Sequence, residues 1–223
     1  MSTNLNKRKS DSFFMNLALR QAYLNIGNTK DNPSVGCVIT KNNTLISSGV
    51  TGRNGRPHAE TNSILSSSKN LKNSCLYVTL EPCSHYGKSP PCTNIIIKKK
   101  IKKVFFAIND PDLRSHNKSL SVLKKRGVTV KKGLLKSNAN FLYRSYVKFK
   151  KKQLPFVTCK LAISKDYYTI NKKNIWITNE HSRGRVHLLR SYHDCLITSA
   201  RTIKKDNPKL NCRIHGLEDR TPI

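Results

Sequence analysis

Along residues 11–26 the apolar positions recur at helical spacing: Phe14, Leu17, Ala18 and Leu24 fall with Gln21 near one face. Ser10 or Asp11 supplies a cap and Gly27 a stop. The period then shortens. "VGCVIT" and "TLISSGV" are β-rich runs joined through "KNN", a hairpin signal. "PHAETNSILSSS" reads as a helix opening at Pro57, a residue suited to the first helical position. The apolar runs "CLYVTL" and "KVFFAI" predict buried strands, with the helix "CTNIIIKKK" between them. "NKSLSVLKKRG" predicts a helix ended by Gly127, "VTVKKG" a strand, and "SNANFLYRSYVKF" a helix capped by Ser137.

The basic stretch "KFKKKQLP" at 148–155 reads as a linker. Beyond it, "FVTCKLAIS" and "DCLITS" predict strands and "NEHSRGRVHLLRS" a helix. Strands alternating with helices give an α/β layered sheet. The expected organisation is a flexible tail over 1–10, a domain over 11–147, the linker over 148–155 and a second α/β unit over 156–223, without internal repeats.

Composition changes this picture in one respect. Hydrophobic residues make up 37% of the 223 positions, enough for a packed core, but 42 Lys and Arg against 12 Asp and Glu leave a formal charge of +30. Such a charge favours anionic partners: nucleic acid, a membrane surface or phosphorylated metabolites. The plainer reading is a general abundance of lysine, because the basic residues are spread along the chain. No apolar run approaches the roughly 18–20 residues that span a bilayer. The opening "MSTNLNKRKS" with its following helix lacks the features of a secretory signal. Seven cysteines, an odd number, do not suggest a disulfide framework, so a reduced, cytoplasmic protein is expected.

Chemistry is concentrated in two places, "GRPHAETNSI" and "LEPCSHYGKSPPCTN". His58 opens one predicted helix, Cys83 follows a strand, and Cys92 opens another helix. One imidazole and two thiolates with a fourth position open is the pattern of a catalytic zinc, since structural zinc usually takes four protein ligands. Zinc lowers the pKa of bound water to about 7. Glu60, two positions from His58, can carry the proton without ligating. A histidine ligand, a glutamate acid/base and two cysteines describe the zinc nucleobase deaminases. Cys37, Cys75, Cys159, Cys195 and Cys212 read as small core residues.

Nucleic-acid deaminases space their cysteines as Pro-Cys-x-x-Cys, whereas here "SHYGKSPP" separates Cys83 from Cys92. With "NPSVGCVI", "LYVTLEPCSHYGKSPPC", "NDPD", "LPFVTCKLAIS", "WIT" and "LITSARTIKKDNPKL", the chain resembles the bifunctional riboflavin-biosynthesis deaminase/reductase family over almost its whole length. The resemblance implies a three-layer cytidine-deaminase-like domain followed by an incomplete dihydrofolate-reductase-like α/β unit. It implies hydrolytic deamination of 2,5-diamino-6-ribosylamino-4(3H)-pyrimidinone 5′-phosphate, with Asn32, His85, Lys88 and Asp110 at the substrate. A working reductase half would bind NADPH through Ala162, Trp176, Thr202 and Asp206, and its substrate through Arg190, Leu210 and Arg213. The chain departs from the family pattern at Tyr167, where a glycine is usual, at Asn174 in place of a serine, and at Asp112 in place of an asparagine. A homo-oligomer or a separate reductase chain is the partner this resemblance suggests. The rival readings are a deaminase of nucleic acid, of the transfer-RNA adenosine type, and a non-catalytic RNA-binding protein. The second of these requires basic residues gathered on one face.

Overall fold

The computed structural model describes residues 2–169, 176–220 and 222–223, with side chains from Ser10 onward. It divides into two units, the first ending at Phe156 and the second beginning at Val157.

The first unit is built on a five-stranded mixed sheet. Its strands are β1 (Gly36–Lys41), β2 (Thr44–Val50), β3 (Cys75–Leu80), β4 (Lys103–Ile108) and β5 (Thr129–Lys132), in the spatial order β2-β1-β3-β4-β5. β1 runs antiparallel to both β2 and β3, while β3, β4 and β5 are parallel. The hairpin is as the sequence predicts. Asn42 and Asn43, both with positive φ (51° and 59°), make the two-residue turn that matches strand twist. The register shifts between Ile39 and Thr40, an irregularity that bends the edge.

Helices α1 (Ser2–Leu24) and α5 (Lys136–Leu142) cover one face; α2 (Ala59–Leu65), α3 (Cys92–Lys98) and α4 (Lys118–Lys125) cover the other. β3 and β4 are therefore buried on both faces, which is why they read as unbroken apolar runs. Tyr77 stacks on Phe105 at 4.7 Å between ring centroids and donates to Asp11 Oδ1 at 2.6 Å. Gly49 lets α2 lie directly on β2: a Cβ there would stand 2.5 Å from Ser63 N and 2.8 Å from Ala59 O.

Several boundaries differ from the expectation. α1 begins at Ser2, where a tail was expected, because no Gly or Pro interrupts a run containing good helix formers. Its buried stripe is Phe14, Met15, Ala18, Leu19 and Ala22, rotated so that Leu24 is exposed. His58 is the N-cap of α2, which places Pro57 outside the helix. The last predicted helix is two, α5 and α6 (Arg144–Lys152), parted at Tyr143; Ser137 lies inside α5 and Leu135 precedes it. The tyrosine explains the break. Its ring is buried and its hydroxyl lies 2.5 Å from Thr79 Oγ1 and donates to Ser34 O at 3.0 Å. α6 also carries the helix through residues 148–152 of the expected linker, since exposed lysines are good helix formers.

In the second unit, α7 (Glu180–Ser191) is capped by Asn179, whose Oδ1 accepts from Ser182 N at 2.9 Å. α8 (Ala200–Asp206) is capped by Ser199. The strands expected at 156–164 and 194–199 do not form among the described residues. Extended chain becomes a strand only against a partner in register. Here the pairing amounts to Leu196 N to Ile223 O at 2.9 Å and Ile223 N to Asp194 O at 3.0 Å. Val157, Leu161 and Ile197 remain largely exposed.

The most connected polar group in the sheet is Glu81, directly after β3 and buried. Its carboxylate accepts from Asn109 Nδ2 (3.0 Å), Asp110 N (3.3 Å), Asn117 N (3.1 Å), Ser119 N (3.2 Å) and Ser119 Oγ (2.8 Å). It thus joins the ends of β3 and β4 to the start of α4. Glu81→Ala should cost about 3 kcal/mol or more, because it strands buried donors, while Glu81→Gln, which keeps one acceptor, should cost less. Urea denaturation of the metal-loaded protein measures both; a loss under about 1 kcal/mol for the alanine variant would mean that water replaces the carboxylate.

Candidate active site

The C-terminal end of β3 carries the site. Pro82 and Cys83 follow Glu81, and Cys92 is the first residue of α3, where its N–H donates to Cys83 Sγ at 3.2 Å. Across from them, at the start of α2, His58 turns Nδ1 toward both sulfurs, 3.2 Å from Cys92 Sγ and 3.5 Å from Cys83 Sγ. The three ligand atoms lie within 4.8 Å of one another. Tetrahedral zinc with its usual bond lengths would separate nitrogen from sulfur by about 3.5 Å, so the donor set and spacing fit that metal.

Glu60 completes the cluster. It is almost wholly buried, and burial together with the charge of Cys83 pushes its carboxyl up to about 7. The Cys83 thiol is pulled down to about 4, first by its hydrogen bond with Cys92 and then by His58. Cys92 moves the opposite way, its thiol raised by that shared bond and by burial. One sulfur is therefore ionised ahead of the other. Cys37 lies beneath, buried, accepting from Ser63 Oγ at 3.1 Å.

The other expected deaminase residues lie on three segments: the loop before β1, the loop between the two cysteines and the chain after β4. Asn32 packs over Gly55, where φ is +89° and a Cβ would stand 2.1 Å from Asn32 Nδ2. His85 Nδ1 is 3.1 Å from the hydroxyl of buried Ser115. Asp110 follows β4; Tyr146 OH donates to its Oδ1 at 3.1 Å, and burial raises its pKa. Asp112 is held well below the usual carboxylate range by Arg114, which donates at 2.7 Å, with Lys150 at 3.1 Å. Lys88 is exposed on the loop between the cysteines.

Residues 8–108 match the family model of the cytidine and deoxycytidylate deaminase zinc-binding region, and residues 155–222 match the RibD C-terminal domain. The chain is 39% identical to the riboflavin biosynthesis protein RibD of Bacillus amyloliquefaciens over 92% of its own length and 56% of that protein's. Against the RibD protein of Escherichia coli it is 34% identical, covering 95% of this chain and 58% of the relative. A crystal structure from Thermotoga maritima, described as a diaminohydroxyphosphoribosylaminopyrimidine deaminase/5-amino-6-(5-phosphoribosylamino)uracil reductase, superposes with a TM-score of 0.88 at 33% identity. It is matched over 94% of this chain and 61% of its own. Over most of its length the chain is similar to proteins of the RibD family. It spans a little over half the length of the curated RibD relatives it matches.

Of the residues that the RibD resemblance points to in the second unit, Arg190 and Arg213 come together. Arg190 Nη1 donates to Asn211 O and Arg213 Nη1 to Asn211 Oδ1, both at 2.9 Å, with Leu210 adjacent in the chain. Thr202 is engaged in capping α8, its N–H donating to Ser199 Oγ at 3.1 Å. Trp176 is exposed and lies under the Arg183 guanidinium at 4.7 Å, Ala162 is half-buried, and Asp206 is exposed at the end of α8. Tyr167 adopts a φ of 66°, the region that favours glycine. Asn174 lies outside the described residues. Cys159 and Cys195 are exposed, against the expectation of core residues, because the segments that carry them are not in a sheet.

Sequence reasoning missed Arg56, Ser89, Ser115 and Tyr146. Arg56 Nη1 sits 3.2 Å from His58 Nε2 and donates to Ser89 Oγ. Its place two residues before His58 was the available signal; Tyr146 left none, since only the tertiary fold returns α6 to Asp110.

Cys92 must lose its raised proton on ligation, and His58, raised by its hydrogen bond with Cys83, must lose one wherever it is still protonated. Apparent zinc affinity should therefore rise at least about tenfold per pH unit between pH 6 and 8. The sign follows from metal binding the thiolate: protons compete, and affinity falls as pH falls. Competition against a chromogenic chelator measures this, and Cys83→Ala should abolish tight binding. A flat profile would remove the sulfurs from the ligand set.

Proposed function

We propose that the first unit is a zinc-dependent hydrolytic deaminase, with His58, Cys83 and Cys92 as ligands and Glu60 as the catalytic acid/base. The observation carrying this reading is that Glu60, buried and raised to about 7, shares one enclosure with an imidazole nitrogen and two sulfurs. Bound zinc supplies a hydroxide nucleophile near neutral pH. Glu60 takes the proton that water gives up and passes it to the departing amine, so a ring C–NH2 and water become C=O and ammonia. A carboxyl with a pKa near the working pH suits both transfers. The buried start of α2 holds Glu60 in place and excludes bulk water.

The substrate we infer, from the RibD relatives, is 2,5-diamino-6-ribosylamino-4(3H)-pyrimidinone 5′-phosphate of riboflavin biosynthesis, in the cytoplasm. Asn32, His85 and Asp110 are assigned to its polar groups, Lys88 and Arg56 to its phosphate. If His58 ligates through Nδ1, its Nε2 keeps a proton, and the facing Arg56 nitrogen is then donor against donor. That leaves guanidinium donors for an anion. In the second unit, Arg190 and Arg213 are assigned to a phosphorylated substrate. Reduction by NADPH is a separate activity, read by its own assay. Among the described residues no helix is long and apolar enough to cross a membrane.

Glu60→Gln should retain zinc and lose turnover by about 100-fold or more, the scale of general acid–base catalysis. Ammonia release and metal content are measured together; parallel loss of both would make Glu60 a ligand or a structural residue. Lys88→Ala and Arg56→Ala should each raise KM for the phosphorylated pyrimidine by roughly tenfold. They should leave KM for the dephosphorylated analogue unchanged, and equal effects on both would remove the phosphate assignment.

A further inference from the structure

The sheet has a second working end. β3 and β4 run toward Cys83 and Asp110, so the segments before them, 66–74 and 98–102, lie at the opposite end, about 20 Å away for strands of this length. Between these segments is a cavity of about 360 Å³. Ile64 and Leu71, both buried, contribute its apolar part. Lys69, Lys72, Lys98, Lys99 and Lys100 contribute the rest with Ser67 and Asn70. Five lysines from two separate stretches thus line one hollow.

The hollow carries no counter-charge. No acidic residue lines it, and none occurs anywhere in 61–80 or 82–109. Among the described residues none of the five lysines is in an ion pair. Gathering like charges costs free energy in the absence of an anion. The backbone beneath them is pinned: Asn73 N donates to Lys100 O and Lys102 N to Ser74 O, both at 3.0 Å. Lys100 itself holds φ at 55°, a region that favours Gly or Asn over lysine. The lysines therefore stand on a fixed frame.

We propose that this cavity is a binding site for a polyphosphate anion, separate from the catalytic centre. A run of two or more phosphates is the chemistry that five lysines clustered at one hollow recognise. The volume lies within the range of small-ligand pockets. Inorganic polyphosphate and a nucleoside triphosphate share this chemistry. No aromatic ring lines the cavity to stack a base, so the phosphates carry the affinity for either.

The test uses the full, zinc-loaded chain and isothermal titration with inorganic tripolyphosphate and, in a second arm, ATP, at low and high salt. Saturable one-to-one binding that weakens with salt is expected. Comparable affinity in both arms assigns recognition to the phosphates, and tighter ATP binding assigns part of it to the nucleoside. The variant Lys69→Gln/Lys72→Gln/Lys99→Gln should bind at least tenfold more weakly. Lys136→Gln/Lys151→Gln/Lys152→Gln, with the same net charge, and Lys88→Ala should bind as the parent does. Zinc content and thermal unfolding of each variant exclude misfolding. Equal weakening in both triple variants would reduce the effect to bulk charge and overturn the proposal. Loss of binding in Lys88→Ala would return the anion to the catalytic centre, and tighter, lysine-dependent binding of an RNA oligomer would replace the small anion with a nucleic acid.

Discussion

Everything at the catalytic end depends on one buried carboxylate meeting its donors. Glu81 sits where β3 stops, and its two oxygens collect donors from the residues after β4 and from the first turn of α4. A sheet by itself sets only strand direction and register. The carboxylate adds where the loops leave the sheet, and hence where Cys83, two residues on, and Asp110, whose own N–H is one of those donors, are held. Full satisfaction is what makes burial of such a charge tolerable. A partly satisfied one would have loosened the loops that it now fixes.

The second constraint is electrostatic. Glu60 is buried beside a sulfur whose thiol is held down at about 4, and each negative group makes the other harder to ionise. A divalent cation among them resolves that conflict. The same crowding leaves the glutamate close to neutrality, the condition in which it both accepts and gives up a proton.

Much of this was legible in the chain. The buried strands β3 and β4 announced themselves as apolar runs between turn signals, and the hairpin at Asn42–Asn43 by its residues. His58, Glu60, Cys83 and Cys92 stood out because "HAE" at a helix start is followed by "EPC" at a strand end and a second cysteine at the next helix start. What could not be read came from long-range packing. The break at Tyr143 exists because one hydroxyl finds partners on β3 and on the loop before β1, more than sixty and a hundred residues earlier. Tyr146 reaches Asp110 for the same reason. The strands expected after Phe156 failed because periodicity proposes a strand without supplying its neighbour. The lysines looked scattered in the sequence, yet parallel strands bring 69–72 and 98–100 to one end.

The borders of the sheet have a consequence for the molecule in solution. One border, β2, pairs through a shifted register and carries the serines Ser47 and Ser48. The other, β5, is four residues long, and three of its positions face solvent, including Lys131 and Lys132. Short length, irregularity and lysine are features that prevent one sheet from templating another. Irregular pairing at one border and short length with lysine at the other thus guard the two flanks against strand addition, and concentrated protein should stay dispersed while this unit is folded.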